Sequence, residues 1–264
     1  MRHVIPLLRG GFHLVVPSLP GYGFSSLPAG GGFSNARMAE VMLELMTALS
    51  YPRFAVQGGD WGAGIGTWMA LKAPERLIGL HLNYIPGSYA PEVEGELNEE
   101  EEAFMRSRDG WVAEHYAYGH VQKTRPLTLG YGLSDSPAGL AAWIYEKFVE
   151  WSDRETLPDV EDILTNISVY WFTNTIAPSM RLYLESAQTP LRIPAGQRVA
   201  VPTAIFRCRH EAPFPPRSWI ERGYEIARWT DVPRGGHFAA LEAPELLAAD
   251  IGSFLGHPYR PRRA

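Results

Sequence analysis

A single cysteine, Cys208, stands in the whole chain. A lone thiol builds no internal disulfide framework and no thiolate cluster for a metal, so no metal is expected and a reducing, cytoplasmic compartment is the default. Positive charge is not in surplus either: 24 Lys and Arg against 29 Asp and Glu leave a net charge of −5 over 264 residues. That excludes a basic face for nucleic acid or an anionic membrane. No apolar run is long enough to cross a bilayer. The opening Met1-Arg2-His3-Val4-Ile5-Pro6 lacks the apolar core and cleavage pattern of a signal peptide. Repeats are absent, and the acidic run Glu99 to Glu102 reads as the solvated start of a helix. What remains is ordinary for a soluble globular protein, 45% apolar and 20% charged. The length suits one large α/β domain or a core with an insertion.

The most informative stretch is Val56-Gln57-Gly58-Gly59-Asp60-Trp61-Gly62-Ala63-Gly64. Arg53 to Val56 before it reads as a buried strand, and Ile65 to Leu71 after it has helical apolar spacing. Between them, Gly58 and Gly62 flank Asp60 in the small-x-nucleophile-x-small pattern of the α/β-hydrolase elbow, with Asp where Ser is commoner. Such a turn strains its central residue and brings strand and helix too close for side chains. Aspartate changes the chemistry. A carboxylate is ionised at neutral pH and displaces a leaving group from sp³ carbon without a base, leaving an alkyl ester on the enzyme. The plainer alternative is a turn with a helix-capping Asp.

Around the elbow, Phe12 to Pro17 and Leu77 to Asn83 read as strands. Ser34 reads as the N-cap of a helix carrying Met38, Val41, Met42, Leu45 and Leu49 on one face. Strand and helix alternating over short links imply a parallel sheet covered on both faces. From about 84 to 199 the chain turns helical and aromatic-rich, with helices from Ser136-Pro137 through Phe148, from Val160 to Phe172 and around Met180 to Leu184. This is expected to be an inserted all-helical cap over the C-terminal strand edge, where open α/β sheets bind ligands. Strands resume at Thr203 to Cys208 and Glu225 to Trp229, and a last helix spans about Pro244 to Leu255. The expected division is a core from 1–83 and 200–257, a cap from 84–199, and a frayed basic tail from 258–264.

Chain order in this fold is nucleophile, acid, histidine. His237, behind Gly235 and Gly236 and before the last helix, fits the base. Glu211, three residues past Cys208, fits the acid better than Glu221 does; it would fix the imidazole tautomer. The Trp61 backbone N–H, next after the nucleophile, is one expected oxyanion donor.

Several blocks together resemble epoxide hydrolases of the microsomal and juvenile-hormone type. They are Pro17-Ser18-Leu19-Pro20-Gly21-Tyr22-Gly23-Phe24-Ser25, the Gln57 to Gly62 elbow, Leu133 to Ala142, Tyr170-Trp171, Arg181-Leu182-Tyr183, Pro216 to Trp219 and Arg234 to Glu242. The resemblance implies Asp60 as nucleophile, His237 as base and Glu211 as charge-relay acid. It implies two cap tyrosines that hydrogen-bond the epoxide oxygen: Tyr183, and Tyr118, with Tyr116 two residues away as the competing position. It implies an apolar epoxide and water as reactants, no cofactor and a homodimer as one open oligomeric state. Animal members of the family are anchored in membranes through an N-terminal segment that this sequence does not show, so no membrane contact is expected. The resemblance also calls for a His-Gly-x-Pro segment that supplies the second oxyanion donor, and none is present. His3 to Leu8 looks like the helix that follows it. The expectation is therefore a chain without the family's N-terminal segment and first strands, retaining the triad but impaired in turnover. A haloalkane or haloacid dehalogenase uses the same nucleophile but needs halide-binding groups; a ligand-binding remnant without catalysis is the third reading.

Overall fold

The computed structural model describes residues 1–86, 89–91, 96–194 and 196–256. A short helix α1 (Ile5–Leu8) and α2 (Asn35–Ala48) precede β1 (Phe54–Gly58), α3 (Trp61–Lys72) and β2 (Leu77–Leu82). The two-residue strand β3 (Ala90–Pro91) leads into a helical stretch: α4 (Glu99–His115), α5 (Ala117–Thr124), α6 (Pro126–Asp135), α7 (Pro137–Trp151), α8 (Val160–Thr173) and α9 (Ile176–Gln188). The chain closes with β4 (Arg192–Ile193), β5 (Val199–Cys208), α10 (Arg217–Glu221), β6 (Tyr224–Val232), α11 (Ala239–Glu242) and α12 (Pro244–Phe254). The expected tail at 258–264 lies outside the described residues.

The sheet runs β1-β2-β5-β6 and every pairing in it is parallel. Its two faces follow from the period-2 alternation of strand side chains. Leu80 and Leu82 of β2 and Ile205 of β5 join one core with Met38 of α2 and Ala63 and Met69 of α3. Their neighbours in sequence face the other way: Phe206 and Cys208 pack with Leu247 and Ile251 of α12 and Val4 and Leu8 near α1. On that same face His81 binds Asp250 of α12 at 3.0 Å. A parallel sheet with helices on both faces is thus in place, as its apolar strands require.

Five details depart from expectation. The stretch 84–199 is not all-helical: β3 and β4 near its two ends pair in parallel as a separate two-stranded sheet, and β5 already begins at Val199. Two segments far apart in sequence can form a ladder that neither shows alone. Phe12 to Pro17 forms no strand; a strand needs a neighbouring ladder, and here Phe12 and Leu14 instead pack onto the α1 and α12 side of the core. Ser34 is the N-cap of α2 but makes no side-chain capping bond. The buried stripe of α2 is Met38 and Ala39, continued by partly buried Met42, Leu43 and Met46, because Leu49 falls past the last turn and is exposed. The acidic start of α4 is not uniformly solvated. Asn98 and Glu101 form a reciprocal capping box, and the Glu101 side chain is 0% exposed, held by Arg222 through bonds of 2.8 and 2.7 Å.

Candidate active site

Asp60 sits between β1 and α3 with φ 47° and ψ −125°, a left-handed conformation that costs energy for any residue with a Cβ and persists only where its surroundings impose it. The imposing contact is at Gly58, whose missing Cβ leaves room for the Gly62 carbonyl. Gly62 itself faces open space. Gly59, next to Gly58, is the second tight position: a Cβ there would collide with the Asn83 side-chain amide. Asn83 follows β2 and accepts from Gln57 at 2.8 Å, so the strand next door braces the turn. The result lifts the Asp60 side chain off the sheet edge, 48% exposed.

Three side chains from three separate loops meet here. His237 Nε2 donates to Asp60 Oδ2 at 2.9 Å, and Nδ1 donates to both Glu211 oxygens at 3.1 Å. Two acceptor-only carboxylates, one on each ring nitrogen, require both nitrogens to carry protons. Burial lowers the His237 pKa, but Glu211 and Asp60 outweigh it and hold the imidazole well above its ordinary 6.5. Glu211 is 7% exposed. Glu221, the less favoured acid, is occupied elsewhere, accepting from Arg217 at 2.6 Å.

Aromatic rings enclose this relay. Tyr84, Trp151 and Phe238 pack edge-on to His237 with centroids 5.5, 5.2 and 5.3 Å away. The Tyr183 ring stands perpendicular to Trp61 at 4.7 Å, and Tyr118 lies 6.2 Å from Tyr183. Tyr116 packs edge-on against Tyr118, 5.4 Å away. Burial above all, with the Asp60 charge adding to it, raises the phenols of Tyr118, Tyr183 and Tyr116 above 10. The same two causes push Tyr170 up to about 12, and Tyr22 is raised by burial, Tyr170 and Asp60 in that order. Phenols so placed remain protonated donors at neutral pH. The sequence had singled out Tyr118 and Tyr183; Tyr22, Tyr84 and Tyr170 were missed because an aromatic residue in a sequence does not disclose which charge it faces. Trp61 begins α3, where its N–H has no carbonyl within the helix to bond. Among the described residues no group of His, Cys, Asp and Glu could hold a metal. A hollow of about 610 Å³ on the outer face of α8, lined by Phe24, Leu164 and Phe172, lies apart from the relay and carries no such constellation.

A strained turn presenting Asp60 above a parallel sheet, met by His237 and Glu211 from later loops, defines an α/β hydrolase. The family described as alpha/beta hydrolase fold matches residues 1–244. Within that class the chain belongs to the epoxide hydrolase family. It is 30% identical to the solved epoxide hydrolase of Aspergillus niger, with a TM-score of 0.83 over 98% of this chain and 69% of that one. The crystal structure of juvenile hormone epoxide hydrolase from Bombyx mori matches at 33% identity and TM-score 0.78, over 97% and 64%. Epoxide hydrolase 1 of Oryctolagus cuniculus is 36% identical over 275 residues, which span 93% of this chain and 60% of that protein. The chain thus spans about 60% of the length of that relative.

Proposed function

We propose that this protein opens an epoxide and releases a vicinal diol, through an alkyl ester on Asp60. The observation that carries the reading is the unbroken relay Asp60–His237–Glu211 at 2.9 and 3.1 Å beneath a wall of phenols. An Asp60 oxygen attacks an epoxide carbon, a C–O bond forms and the ring C–O bond breaks. The departing oxygen takes a proton from Tyr118 or Tyr183, whose raised pKa values keep that proton in place until an alkoxide, a far stronger base, appears. Esterification then removes the Asp60 charge, one of the influences that hold the imidazole protonated. With that influence gone, His237 passes its proton to the phenolate left by ring opening, which restores the tyrosine and leaves the imidazole neutral. As a base it activates a water that attacks the ester carbonyl, with the Trp61 N–H donating to the oxyanion. The bond between the ester carbonyl carbon and the diol oxygen breaks, that oxygen takes the proton of the new carboxylic acid, and the diol leaves with the Asp60 carboxylate restored. Glu211 holds the ring orientation and stabilises the imidazolium throughout.

The test is chemical. Incubated with styrene oxide, the protein is expected to yield phenylethane diol, and His237→Gln is expected to trap the alkyl-enzyme as a mass adduct on a peptide containing Asp60. Its turnover should fall by about 10²–10⁴. Diol formation without any adduct, or halide release from alkyl halides in place of diol, would sink the reading.

A further inference from the structure

Behind the relay lies a second pair of buried carboxylates that the mechanism above does not use. Glu242, the last residue of α11, is 6% exposed and turns back onto the loop that carries His237. Its Oε1 accepts the Phe238 N–H at 2.8 Å. Its Oε2 accepts the Gly236 N–H at 2.8 Å, the Asp153 N–H at 2.8 Å and the Thr156 hydroxyl at 3.3 Å. Asp153, also buried, accepts the Gly235 N–H at 3.0 Å. The His237 N–H itself goes to the Trp151 carbonyl at 3.0 Å. Every backbone N–H from Gly235 to Phe238 therefore ends on Glu242, on the last residue of α7 or on the turn after it. The approach is close: a Cβ on Gly236 would collide with the Trp151 carbonyl. Trp151 in turn packs against both His237 and Tyr118, at 5.2 and 5.1 Å.

Burying a carboxylate is expensive unless donors surround it, and a loop needs no charge to close on a helix. The four donors converge on this one group because it joins two backbones, the 235–238 loop and the Trp151–Thr156 turn. We propose that Glu242 is a positioning residue for His237: it locks the histidine loop to the segment between α7 and α8, and thereby sets the imidazole's placement between Asp60 and Glu211. The inference rests on the reaction proposed above, because it assigns Glu242 to the step that uses the base. Glu242 touches no reacting atom and acts through His237.

The experiment compares Glu242→Gln with the parent protein in single-turnover reactions with styrene oxide. The amide keeps the volume and one acceptor but turns an NH₂ toward N–H donors. Alkylation of Asp60 is expected to keep its rate, while hydrolysis of the ester slows by about 10²-fold, the cost of a base displaced by roughly 1 Å. Amide hydrogen exchange supplies a readout independent of turnover: Gly236 and Phe238 should exchange at least about tenfold faster in the variant. Asp153→Asn, which weakens the same loop from its other end, should shift both readouts the same way and takes over the test if Glu242→Gln does not fold. Equal losses in both steps, or unchanged hydrolysis, would overturn the positioning role, and so would unchanged exchange at Gly236 and Phe238. A parent protein that forms no alkyl-enzyme would instead overturn the proposed reaction, leaving the exchange arm to decide whether Glu242 holds the loop.

Discussion

The histidine between two carboxylates is a coupled titration, and its partners set the direction of its pH dependence. The folded-state pKa of His237 is raised well above 6.5. A raised imidazolium contributes stability that is fully present below 6.5 and is lost as pH rises through the folded value. Asp60→Asn removes one of the influences that raise it. The His237 ring-proton titration, followed by NMR, is then expected to move to lower pH. The fall in thermal midpoint on the alkaline side should likewise begin at lower pH than in the parent. An unmoved titration would mean that Glu211 alone governs the ring. At this scale Asp60, Glu211 and His237 were legible because chain order and flanking glycines constrain them. Tyr118 is preferred to Tyr116 on the resemblance alone, since two positions so close in sequence give no geometry to separate them. In the fold, the Tyr118 ring meets those of Tyr183 and Trp151, whereas the Tyr116 ring meets those of Tyr118 and Trp111. Tyr118→Phe should therefore slow the alkylation of Asp60 by at least about tenfold, and Tyr116→Phe by less, as measured by quenched-flow adduct formation. Equal effects would return the choice to open.

The elbow shows how an element can be recognised while the reason for its residues is misassigned. Gly58 and Gly62 look equivalent in the pattern around Asp60. Yet only Gly58 lies where a Cβ would meet the neighbouring backbone, the Gly62 carbonyl. Gly62 contributes its backbone to that contact and leaves its own Cβ position open. Gly58→Ala should thus destabilise the protein by about 1–3 kcal/mol or more, since backbone cannot repack as a side chain does. Gly62→Ala, within α3, should be neutral or stabilising by up to about 1 kcal/mol. Urea unfolding of the two variants checks the contrast, and comparable losses in both would refute it. The strands Phe54–Gly58 and Leu77–Leu82 were readable because their burial is local to the pattern. Phe12 to Pro17 has similar alternation, but strand identity is a property of a pair, and pairing is invisible in one segment.

Across the whole molecule, the helical stretch from Glu99 to Gln188 is tied to the sheet layer by a contact whose character the composition concealed. A run of four glutamates suggested a solvated face, and three of them are exposed. The fourth, Glu101, is completely buried and bidentate with Arg222, which precedes β6. The Arg222 hydrogen bond is the leading cause that lowers the Glu101 pKa from 4.5, against the opposing effect of burial. A depressed carboxyl contributes stability that is present above its unfolded value and disappears as pH falls through the folded one. Removing only the cation leaves a buried, unpaired carboxylate, which typically costs about 3–5 kcal/mol. Arg222→Met is therefore expected to lose roughly that much at pH 7 in urea unfolding. As pH falls below 4.5 the deficit should shrink, because Glu101 in the variant can be buried protonated while the parent gives up its ion pair as pH falls through its lowered pKa. A deficit that stays constant from pH 7 to pH 3 would mean that the loss came from packing of the arginine stem, and that the charge pair does not hold the helices to the sheet.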